Sequence, residues 1–98
     1  MMIKELRIQK TGSTDLDISW TLSAGTQTAY ELFLIQEGCV VDGIKKNSAV
    51  TKCSLHAALE PMKEYSLLLT VSVEARLSSA RAGFRIDKGT RLFFSVLY

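Results

Sequence analysis

Tyr65, Leu67, Leu69, Val71 and Val73 recur at every second position, with Ser66, Thr70 and Ser72 between them. Side chains two apart in an extended chain share a face, so this run reads as a strand with one buried side and one wetter side. Asp15 to Leu22 repeats the pattern more cleanly. Leu16, Ile18, Trp20 and Leu22 fall on one face, and Asp15, Asp17, Ser19 and Thr21 on the other. Period two persists through most of the chain, and no long segment carries a 3.6-residue periodicity. Together these patterns predict an all-β fold.

Small polar clusters divide the chain into seven strands: Glu5 to Gln9, Asp15 to Leu22, Tyr30 to Gln36, Cys39 to Asp42, Val50 to Leu55, Tyr65 to about Ala75, and Phe84 to Ile86. Gly43 to Ser48 reads as a polar, lysine-bearing connection, and Leu77 to Gly83 as a loop rich in serine, arginine and alanine. Leu59-Glu60-Pro61-Met62-Lys63-Glu64 reads as a corner that delivers Tyr65 onto its strand. Phe33 and Ile35 fall off the main apolar face of the third strand. Their placement predicts a strand partly covered on both sides, by a neighbouring domain in a longer parent chain. Residues 87–98 remain once the seven strands are placed. They are expected to add a strand within the fold, with a docking or swapped tail supporting a homo-oligomer as the alternative.

A chain of 98 residues makes one domain, residues 1–98, with one core. At 47% hydrophobic and 22% charged it is too apolar for disorder. The formal net charge is only +2. Residues 1–50 carry five basic and six acidic side chains, and residues 51–98 carry seven and four. Basic residues in the second half are interrupted by glycine, serine and apolar positions, a weaker footprint than nucleic-acid binding requires. No window approaches the roughly 18 apolar residues of a membrane span. The first residues lack the apolar core of a signal peptide, which leaves cellular location open. Cys39 and Cys53 are too few for a disulfide scaffold and are expected as buried thiols, with a bridge between them as the alternative if their Cα atoms come within about 7 Å. Neither has a second ligand at metal-site spacing, and His56 stands without further partners.

Trp20 on the second strand and Tyr65 at the head of the sixth, with Leu59 and Pro61 before the tyrosine, resemble the fibronectin type III pattern. The resemblance implies a two-sheet antiparallel Ig-like sandwich of about seven strands, with the tryptophan between the sheets and the tyrosine fixing the crossing from one sheet to the other. Physical chemistry points the same way. A tryptophan supplies a large apolar area, Pro61 presets φ, and the Tyr65 hydroxyl can satisfy a backbone group at the corner. A narrower likeness lies in Leu16-Asp17-Ile18-Ser19-Trp20-Thr21-Leu22, followed by Gln27-Thr28-Ala29-Tyr30-Glu31-Leu32-Phe33-Leu34. These two runs resemble the amino-terminal β-sandwich of bacterial α-L-rhamnosidases, in which Tyr30 would open a scaffold strand. That resemblance implies an accessory domain beside a separate catalytic one. The Cys39 to Ser48 region lacks the aspartate-serine-glycine turn of that pattern.

No set of residues carries a reaction. Glycoside hydrolysis uses two carboxyl groups facing each other across a bond, whereas Asp15 and Asp17 share one strand face. A serine or cysteine nucleophile would have only His56 as base, and Cys53, Ser54 and His56 make no triad order. No glycine-rich phosphate motif precedes a helix, so no cofactor is expected. The expected function is therefore a non-catalytic structural or docking domain. An independent carbohydrate- or protein-binding module, using Phe33, Arg81, Arg85, Phe93 and Phe94, is the alternative.

Overall fold

The computed structural model describes residues 2–11, 14–86 and the backbone of 92–97. Eight strands run through these residues: β1 (Ile3–Thr11), β2 (Asp15–Leu22), β3 (Gln27–Gln36), β4 (Cys39–Lys46), β5 (Lys52–His56), β6 (Tyr65–Val73), β7 (Arg76–Ile86) and β8 (Leu92–Leu97). They form two antiparallel sheets, β1-β2-β5 and β4-β3-β6-β7-β8. The strand assignment matches the expected two-sheet sandwich, with β8 added at the edge of the larger sheet.

Alternation places the core between the sheets. Leu16, Ile18 and Trp20 face Tyr30, Leu32, Leu34, Leu67, Leu69 and Val71, all at most 3% exposed. Each such side chain contributes about 1.5–3 kcal/mol of burial. The elongated body measures 41 × 24 × 21 Å. An eleven-residue strand such as β7 spans about 36 Å, so the long axis follows the strands. At one end lie the 23–26 turn, the 47–51 connection and the Glu74-Ala75 turn. At the other lie the Glu37-Gly38 turn and the 57–64 corner.

Two expected loops are largely strand, Leu77 to Gly83 throughout and Gly43 to Ser48 as far as Lys46. β7 is continuous from Arg76, because Ala80 and Ala82 face the core at 2% and 0% exposure, opposite Leu69 and Leu67. Small inward residues keep the period of two but carry little hydrophobic signal. The β6–β7 hairpin is equally disguised: Glu74 and Ala75 both hold positive φ, 50° and 62°, in a two-residue turn where asparagine and glycine are usual. β4 likewise continues to Lys46, past the expected end at Asp42. Gly43 pairs with Phe33, and a Cβ added at Gly43 would lie 2.9 Å from the Phe33 ring. That ring covers the glycine and holds the edge strand on the sheet. Phe33 is thus half-buried by its own cross-strand partner. β4 then bulges at Val41, where the register passes from Leu34↔Asp42 to Ile35↔Val40. A bulge and two terminal lysines protect a free edge.

Candidate interaction surface

Trp20 is 2% exposed and donates its indole Nε1–H to Gln27 Oε1 at 2.8 Å. Gln27, itself 1% exposed, donates Nε2–H to the carbonyls of Ser48 and Val50, each at 2.9 Å. One amide thus satisfies the indole and two loop carbonyls, which makes its burial tolerable. Thr51 O adds a bond from Trp20 N at 3.0 Å, and Val50 N donates to Ser48 Oγ at 3.0 Å. The 47–51 connection is therefore clamped to both sheets. The Tyr30 ring meets Trp20 edge-on, with centroids 5.0 Å apart. Burial, then the adjacent Cys53, pushes the Tyr30 phenol up from its ordinary pKa. Burial also pushes the Cys53 thiol up, against a hydrogen bond from Tyr30 and the charge of Lys46. Cys53 is half-buried, but Cys39 is exposed, not buried as expected; both are free thiols.

At the opposite end Tyr65 is 4% exposed and stacks on Phe84 at 5.5 Å. Its hydroxyl accepts from Glu60 N at 2.8 Å, and Met62 N donates to Ile86 O at 2.8 Å. Pro61 is exposed, Leu59 packs on the core, and Met62 takes a φ of 66° after the proline, the φ pattern of a type II turn. A cleft of about 240 Å³ opens beside the corner, lined by Leu34, Val41, Leu59 and Tyr65 and by the polar Gln36, Asp42, His56 and Glu60.

The open faces of the two sheets differ. On the smaller sheet, polar groups bind one another: His56 Nδ1 lies 2.7 Å from Asp15 Oδ1, and Asp17 accepts from Ser54 at 2.6 Å and Thr11 at 3.1 Å. Arg7 pairs with Glu5 at 2.6 Å. Asp15 and Asp17 stand side by side on this face. On the larger sheet, register brings Phe33, Leu68 and Arg81 into one cross-strand row, with Arg85 further along β7. Among the described residues the Arg81 side chain has a single 3.4 Å contact, with Ser66 Oγ. Arg85 has no ion-pair partner among the described residues. Position 93 pairs with Arg85 and position 94 with the buried Phe84; the side chains of Phe93 and Phe94 lie outside the described residues. Phe33, Arg81 and Arg85 therefore share a face. Among the described residues no group of three histidine, cysteine, aspartate or glutamate side chains converges as a metal site.

Gln27 is the residue that sequence patterns undervalue. Its alternation places it inside, yet nothing in composition distinguishes a buried amide from an exposed one. The available signal was its company, tryptophan on the preceding strand and tyrosine three residues on.

The fold is similar to that of the rat CD45 extracellular region, domains d3-d4, with a TM-score of 0.62 at 9% identity. The likeness covers 97% of this chain and 48% of that one, so the chain spans about half the length of that structure. The shared feature is the fold, an Ig-like, fibronectin type III-like sandwich. No protein-family model matches the chain, and no curated protein matches it.

Proposed function

We propose that this chain is a non-catalytic accessory sandwich, a spacer or docking domain related to the amino-terminal sandwich of bacterial α-L-rhamnosidases. The observation that carries the proposal is the Trp20–Gln27 bond at 2.8 Å. It joins the serine-tryptophan strand to the glutamine-threonine-alanine-tyrosine strand, so the residues of the likeness form one physical unit. The sideways engagement of Asp15 and Asp17 with His56, Ser54 and Thr11 supports a scaffold role for those carboxylates. Purified protein is expected to leave aryl rhamnosides intact, and turnover at an enzyme-like rate would refute the non-catalytic reading. Sequencing the reading frame past Tyr98 tests the kinship: a catalytic domain in frame supports it, and an unrelated domain counts against it.

The row of Phe33, Leu68 and Arg81 favours a second reading, an independent carbohydrate- or protein-binding module. Glycan-array binding that disappears in Phe33→Ala and Arg81→Ala would establish that alternative.

A further inference from the structure

The two ends of the sandwich are chemically complementary. At the clamped end stand Lys4, Arg7, Lys45, Lys46, Lys52 and Arg76, with Glu5, Glu31 and Glu74 among them. The corner end carries Asp15, Glu37, Asp42, Glu60 and Glu64, with Lys10, Lys63 and Arg85 among them. The exposed large apolar side chains of the described residues sort the same way: Val50 (53%) and Leu77 (72%) lie at the clamped end, and Val40, Val41 and Met62 (61%, 52% and 52%) toward the corner end.

One pair of features has matching form as well as charge. Val50 is half exposed on a connection that Gln27 holds at two carbonyls, between Lys46 and Lys52, and it borders a groove shared with Arg7 and Asp17 of the smaller sheet. The corner cleft offers Val41 and Leu59 as its more accessible apolar groups, Leu34 and Tyr65 being almost fully buried, and carries Asp42 and Glu60 together with the polar Gln36 and His56. We infer that Val50 of one copy seats in the corner cleft of a second copy, with Lys46 and Lys52 meeting the Asp42–Glu60 rim. Because the 47–51 connection is already ordered, docking loses little conformational freedom. The contact is heterologous: each copy offers a knob at one end and a socket at the other, so copies add head to tail. An end face of 24 × 21 Å buries roughly 500 Å² per partner, below the about 800 Å² of a stable interface, so the association is weak. The inference is independent of the rhamnosidase kinship.

Sedimentation of the full chain from about 0.02 to 2 mM tests it. Mass should rise with concentration at about 20 mM salt and fall back toward the monomer at about 500 mM, where charges are screened. Val50→Asp removes the knob, and Val41→Lys/Glu60→Lys removes the socket; all three side chains are exposed at the surface, and the near-ultraviolet signal of Trp20 checks folding. Each variant alone should associate at least about tenfold more weakly. Mixed in equal amounts, they should form a dimer and no larger species, through the one intact knob and the one intact socket. A wild type that stays monomeric, variants that associate like the wild type, or a mixture that stays monomeric would each overturn the inference.

Discussion

The sandwich is fastened differently at its two ends. At one, a side-chain amide only 1% exposed holds a buried indole and two part-buried loop carbonyls. At the other, a proline turn and a tyrosine hydroxyl close a corner whose proline and following methionine are exposed. Water can replace a lost partner at an exposed corner far more easily than inside the clamp. A buried donor or acceptor left alone costs about 1–3 kcal/mol, while a replaceable hydrogen bond is worth nearer 1 kcal/mol. Similar bond lengths therefore carry unequal weight.

Substitutions at the two ends, read by urea unfolding, should differ in cost. Gln27→Leu keeps the volume but leaves the Trp20 indole and two carbonyls unpaired, and should cost about 3 kcal/mol. A cost like that of a surface change would remove the clamp from the account. Ala82→Leu adds bulk at a site 0% exposed opposite Leu67, and should cost about 2 kcal/mol through overpacking. Were this stretch a loop, the same change would be nearly silent. Tyr65→Phe keeps the stacking on Phe84 and loses only the bond from Glu60 N, for about 1 kcal/mol. Ala75→Gly relieves a positive φ in the hairpin at the clamped end. Part of that gain is offset by the freer unfolded chain, leaving a stabilisation of about 0.5 kcal/mol. A loss there would mean that Ala75 makes packing contacts outweighing its backbone conformation.

Legibility in the sequence follows the same division. The corner announces itself, because Pro61 and Tyr65 are rare residue types in a telling order. Strong alternation likewise exposes β2 and β6, since their inward residues are large and their outward ones polar. β7 hides because Ala80 and Ala82 are small, and its hairpin hides because glutamate and alanine occupy positions where asparagine and glycine would signal the turn. β4 hides because the residue that anchors Gly43, Phe33, belongs to the neighbouring strand. The clamp is least legible, since its meaning lies in a contact seven residues apart and two more across 21 and 23 residues. Among the surface residues, alternation separates Phe33 from its inward neighbours, but only register brings it into line with Leu68 and Arg81.

Trp20 and Gln27 act as one unit, and a double-mutant cycle measures their coupling. Trp20→Phe removes the indole donor, Gln27→Leu removes its acceptor, and the pair is unfolded in urea alongside both single variants and the wild type. The double variant should lose about 1–2 kcal/mol less than the sum of the single losses, because the second change no longer leaves a partner stranded. Additive losses, within about 0.5 kcal/mol, would contradict it.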